Sequence, residues 1–256
     1  SDYSYSIKDE FGASVPTDTY GTFANPGFLP FLNNGYYNGI AATPAFTNQP
    51  FPVTFSDSTF FTITHVLTTS SDNKRSNDTV VHVQKFSNYY AYDDGTAEQG
   101  YYLNTYGAKT ALRFTVNVAD TLKSVRIYFD PILDGTGILA STFRIMVWNA
   151  GSNGPGSILL KDSLINPIYL SGSYNAMPTF NLTSCLPLGV GTYYIGIQQT
   201  TNKALNIGFD RNTNHKDALY YDIGNGWVQS AIPGSLMINP VMGCAYPTPV
   251  GIEEKK

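Results

Sequence analysis

Five short segments of this sequence place an apolar side chain at every second position, and no other feature constrains the fold as tightly. In 111–118, Leu112, Phe114, Val116 and Val118 alternate with Arg113, Thr115 and Asn117. The same rhythm runs through Val125, Ile127 and Phe129, then Phe143, Ile145 and Val147. It returns in Tyr193, Ile195 and Ile197, and in Leu205, Ile207 and Phe209. A strand turns successive side chains to opposite faces, so a period of two predicts antiparallel strands with one buried and one wet face. Such faces escape water when two sheets stack on one another.

Nothing in the composition offers a helix as competitor. Gly (23 residues) and Pro (15) are spread along the chain and interrupt any 3.6-residue period before it grows long. Charged residues make up only 13 %, about half the usual globular share. The 19 Tyr and 15 Phe suit a pleated, half-buried surface. Turn signals such as Gly189-Val190-Gly191 and Asn225-Gly226 fall between the alternating segments. The expected fold is all-β: an antiparallel β-sandwich, jelly-roll-like, preceded by a loop-rich N-terminal segment.

Three regions follow from this reading. Residues 1–87 form a loop-rich segment with one hairpin, because prolines such as Pro16, Pro26, Pro30, Pro44 and Pro50 punctuate 1–55 while 59–67 and 79–86 read as paired strands. Residues 88–245 form the sandwich, and 246–256 a linker. The chain starts at Ser1 and carries no signal peptide, which reads as an excised or mature fragment.

Charge and motifs argue against several functions. A net charge of −4 with scattered Lys and Arg gives no basic footprint for nucleic acid. No apolar run approaches the roughly twenty residues of a membrane helix, so membrane insertion is not expected. His65, His82 and His215 lie in no zinc-ligand spacing, no GxSxG elbow occurs, and no carboxylate pair stands out as a glycosidase pair. The chain reads as non-catalytic.

Taken together, YYAYDDGTAEQGY (89–101), ALRFTVNVADTLKSVRIYF (111–129), VWNAGSNGPGSILL (147–160), YYIGIQQT (193–200), LNIGFDRN (205–212) and GSLMINPV (234–241) resemble a module of large secreted proteins of Bacteroidetes-type bacteria. SNDTVVHVQKF (76–86) resembles the end of the segment that precedes that module, and PTPVGIEE (247–254) the linker entering a type IX secretion sorting domain. The resemblance implies export to the cell surface, attached at the outer membrane or released. It implies a binding, adhesion or spacer role beside other domains of the parent protein, and it brings no catalytic residues.

Three sets of residues are candidate sites. Asp93, Asp94 and Glu98, joined by Asp210 if the strand it ends lies alongside, supply oxygens of the kind Ca²⁺ takes; the alternative is a plain Asp-Gly turn whose carboxylates cap backbone amides. Arg126, Tyr128, Arg144 and Trp148 fall on the outward sets of their strands and could form a platform for a polysaccharide or surface glycan, which would make the chain a carbohydrate-binding module of a polysaccharide-degrading enzyme. Rings that cover a module interface are the plainer reading. Cys185 and Cys244 permit one disulfide.

Overall fold

The computed structural model describes residues 2–15, 58–68, 74–131, 141–170 and 174–243. The chain divides into two compact units, Ser1–Ser87 and Asn88–Lys256. The linker 246–256 lies outside the described residues.

The first unit holds an antiparallel sheet of β1 (Asp2–Asp9), β2 (Ser58–Thr68) and β3 (Thr79–Ser87), in that order. The hairpin of β2 and β3 is the one read from the sequence. Strand β1 corrects that reading, which left residues 1–55 irregular. Its sequence DYSYSIKD carries the same period of two, and Ile7 pairs with Ile63 at the centre of the sheet. Ile7, Phe61 and Phe86 share one face, where Phe61 and Phe86 meet edge to face. His65 stands opposite Val80 and His82 opposite Ile63, so the two histidines are diagonal neighbours rather than a pair.

The second unit is an antiparallel β-sandwich. One layer has six strands in the order β13-β12-β5-β10-β7-β8. These are β5 (Lys109–Val116), β7 (Phe143–Ala150), β8 (Pro155–Lys161), β10 (Gly191–Gln199), β12 (Leu219–Asp222) and β13 (Val228–Gln229). Facing it are two three-stranded sheets. One joins β14 (Ser235–Leu236), β11 (Ile207–Asp210) and β4 (Gln99–Tyr101); the other joins β15 (Ile238–Met242), β6 (Asp120–Ile127) and β9 (Thr179–Leu188). Among the described residues no helix is long and apolar enough to cross a membrane.

The core lies between the layers and is built from the alternating residues themselves. Leu112, Phe114, Ile145, Val147, Ile195 and Ile197 point inward from the six-stranded sheet, against Leu122, Val125, Ile127, Phe180 and Ile238 from the other layer. Leu112, Ile127 and Ile145 are 0 % exposed. Burying a side chain of this size contributes roughly 1.5–3 kcal/mol before chain entropy is counted.

One wet face per strand does not hold everywhere. All four residues of β11 and all five of β15 are buried, including Asp210 and Asn239. Asp162, just past β8, accepts from the Thr183 amide at 3.0 Å and from its hydroxyl, which ties the edge of the six-stranded sheet to β9.

Candidate functional site

Asp93, Asp94, Glu98 and Asp210 come together, because β4 pairs with β11 and carries the loop 93–98 alongside Asp210. Their oxygens are turned toward donors of the protein itself. Asp210 accepts from the Asp94 amide (2.8 Å), the Asn212 amide (2.6 Å), the Thr213 amide (3.1 Å) and the Thr213 hydroxyl (2.6 Å). Asp94 accepts from the Thr96 amide and hydroxyl and from Asn212 Nδ2. Glu98 accepts from the Arg211 amide (2.7 Å) and Asn212 Nδ2 (2.9 Å). Asp93 accepts from the Gly95 amide at 3.1 Å and, across the layer, from Asn239 Nδ2 at 2.8 Å.

The titration behaviour follows from these contacts. Burial raises the Asp210 carboxyl, but the Thr213, Asp94 and Asn212 donors outweigh it and hold the group below the usual range. Burial dominates at Asp93, helped by the Asp210 charge, and its carboxyl is raised. Among the described residues no group of three or more His, Cys, Asp or Glu side chains is arranged to hold a metal ion. A carboxylate whose oxygens all accept internal hydrogen bonds is doing the work of a loop closure. Each of the four carboxylates caps a backbone amide, as in an Asp-Gly turn, and its oxygens keep further lone pairs of the kind a cation takes.

The proposed carbohydrate set is not brought together. Arg126 lies on β6, with its guanidinium 4.9 Å from the Tyr89 ring centre, whereas Arg144 and Trp148 lie on β7 in the opposite layer. Tyr128 is 8 % exposed. Its neighbours Ile127 and Phe129 enter the core, so Tyr128 faces the outer side of its layer. A Cβ at Gly208 would overlap its ring, and the missing side chain there lets the ring lie down covered rather than stand in solvent. Trp148 also points outward from its sheet, but at 2 % exposure it is covered. Cys185 is disulfide-bonded; Cys244 lies outside the described residues.

What covers Trp148 defines a second surface. The outward positions of the six-stranded sheet form three cross-strand rows. In the first, Asp222, Lys109, Gln198 and Arg144 stand side by side. In the second are Tyr220, Ala111, Gly196, Met146 and Lys161, and in the third Arg113, Tyr194, Trp148 and Ile158. The outer face of a sandwich sheet is ordinarily polar. Here Ala111, Met146, Trp148, Tyr194 and Tyr220 make a separate apolar cluster with Trp227 packed on it.

Small residues in the middle row permit this arrangement. Tyr194 and Tyr220 meet edge to face across Ala111, with ring centres 5.2 Å apart. Gly154, in the β7–β8 turn, takes a positive φ and lies against the Tyr220 ring, where a Cβ would come within 3.1 Å of the ring and 3.7 Å of Trp227.

Trp227 closes the cluster and remains half-buried. Its ring meets Trp148 at 5.0 Å and lies under Lys109 Nζ at 5.8 Å. Asp222 holds the loop that presents it. One oxygen accepts from the Gly224 and Gly226 amides at 2.8 and 3.1 Å, the other from Lys109 Nζ at 2.8 Å. Gly224 and Gly226 take positive φ, which a glycine adopts without strain. Burial pushes the Asp222 carboxyl up, but Lys109 and the loop amides hold it below the usual range.

At the same end of the face, Gln198 Nε2 reaches the Gly107 carbonyl at 3.5 Å, and the neighbouring Tyr106 is 71 % exposed. Two aromatic residues, Trp227 and Tyr106, therefore belong to the end of the sheet that carries the row of hydrogen-bonding side chains. Neither stands in an alternating segment. Their signal in the sequence is placement beside glycine turns, at Tyr106-Gly107 and Gly226-Trp227.

No protein-family model matches the chain, and no curated protein matches it in sequence.

Proposed function

We propose that the chain is a non-catalytic binding module of a secreted, cell-surface protein, with the outer face of the six-stranded sheet as its recognition face. One observation carries this reading. A sheet face that core packing does not require to be apolar presents a half-buried Trp227 beside a row of hydrogen-bonding side chains, Asp222, Lys109, Gln198 and Arg144. The disulfide at Cys185 supports export, since such bonds persist in oxidising compartments.

The same observation favours a sugar as ligand. Binding sites combine apolar and aromatic surface with a few placed polar groups, and a pyranose offers an apolar face to a ring and hydroxyls to its neighbours. Lys109 and Asp222 already form one ion pair, so a ligand meets them without stranding a lone charge. Affinity electrophoresis through gels containing neutral or acidic polysaccharides tests the assignment. Retardation by at least one polysaccharide, lost in Trp227→Ala, is the expected result. Equal mobility of the two proteins in every gel contradicts it.

A further inference from the structure

From the charge on this face we infer that its ligand is an acidic glycan, specifically a chain carrying uronic-acid carboxylates. The inference rests on the reading of the face as the recognition surface and adds the ligand class.

Charge is segregated between this face and the rest of the chain. The outward positions of the sheet carry Lys109, Arg113, Arg144 and Lys161 against Asp222, and Asp217 reaches Arg113 at 3.2 Å. Four cations and two carboxylates give the face a net +2. The other eleven cations and seventeen carboxylates of the chain sum to −6, within a total of −4. A positive face on an otherwise acidic protein attracts anions and turns acidic surfaces away.

The two cations not paired with the face's own carboxylates are neighbours. Lys161 stands opposite Met146 on β8, and Arg144 is two residues before Met146 on β7, so both flank the same side chain. Arg144 spends Nη1 on the Asp162 carbonyl at 2.9 Å, which fixes the plane of the guanidinium. Its other donors keep the fork geometry that matches a carboxylate. Lys109 and Arg113 are instead held by Asp222 and Asp217. The anion therefore sits at the Arg144–Lys161 side, while the sugar ring uses the aromatic side.

A carboxylate every sugar or two along a chain suits this division better than an isolated anion, because ring and charge are recognised at separate places. Sulfate esters share the negative charge and can also set two oxygens against the N–H fork of Arg144, so a direct comparison has to separate them from uronates.

Titration calorimetry of the whole chain with oligogalacturonate, neutral galacto-oligosaccharide and dextran sulfate tests the inference. Oligogalacturonate is expected to bind, and more weakly as salt rises. Arg144→Gln and Lys161→Gln should each weaken it about tenfold, the size of one lost hydrogen bond to a charged group. Lys161 is exposed, so its variant separates lost binding from lost folding. Neutral oligosaccharide binding as tightly as oligogalacturonate, with both variants unaffected, overturns the acidic ligand and leaves the recognition face standing. Dextran sulfate binding alone also overturns it. Binding of none of the three, or uronate binding that survives Trp227→Ala, overturns both readings.

Discussion

The indole rings of Trp148 and Trp227 meet edge to face, 5.0 Å apart with planes at 81°, although one belongs to a central strand and the other to a loop. Their contact roofs a small apolar cluster on the outside of the sandwich and fixes Trp227 where a ligand can reach it. Removing the roof should be measurable in two ways. Trp227→Ala is expected to cost about 2 kcal/mol, between an aromatic pair term and full burial of a tryptophan. It should also shift the emission of Trp148 to longer wavelength as water reaches it. Urea unfolding followed by fluorescence checks both.

Asp210 ties the loop at Asp94 to its own turn, 210–213, with one carboxylate. Asp210→Ala removes the acceptor shared by the Asp94, Asn212 and Thr213 amides, part-buried contacts around a residue that is itself 0 % exposed. A buried donor left without a partner costs about 1–3 kcal/mol and one that water can reach costs less, so the expected loss is about 2 kcal/mol in total, read as a lower urea midpoint. Asp93→Asn should be much milder. Asn239 can rotate its amide to present oxygen to the new side chain, and the Gly95 amide keeps its acceptor.

Acid should weaken the sandwich. Asp162, Asp210 and Asp222 are held below the ordinary carboxylate value. A group depressed in the folded state contributes stability above its unfolded value, about 3.9, and that contribution is lost as pH falls through the folded value. Asp93 is raised, so its effect has the opposite sign: stability falls as pH climbs from the unfolded value through the folded one. Three depressed groups against one raised group give a net fall in melting temperature below about pH 4. Scanning calorimetry between pH 7 and pH 2.5 measures it, and Asp93→Asn should steepen the fall.

Calcium should make no difference to folding. The oxygens of Asp93, Asp94, Glu98 and Asp210 accept from amides, hydroxyls and Asn side chains of the protein. A metal would have to share those oxygens with the donors already bound to them. The expected result is the same melting temperature in EDTA and in millimolar CaCl₂.

The strands that build the core were legible because burial on one side leaves a period of two. Leu112, Ile145 and Ile195 sit in the core as that period requires. Strand β1 shows the same period, yet it stands at the head of a proline-punctuated segment and pairs with a strand some fifty residues away. Local reading does not reach such a partner. The outer face was the hardest part to see. Met146, Trp148, Tyr194 and Tyr220 occupy alternate positions that a simple sandwich exposes, and two glycine turns folding over them make them a cluster. Tyr128 is likewise an outward position that is covered, because the space at Gly208 belongs to another strand. Asp93 and Asp210 became neighbours only through the pairing of β4 with β11.

Amide chemical-shift mapping of the ¹⁵N-labelled protein, titrated in parallel with oligogalacturonate and neutral galacto-oligosaccharide, tests the recognition face most directly. The account expects at least one sugar to perturb Tyr106, Lys109, Arg144, Gln198 and the Gly224–Trp227 loop as one contiguous set. Perturbations gathered around Arg126 and Tyr128 in the opposite layer, or none with either sugar, would contradict it.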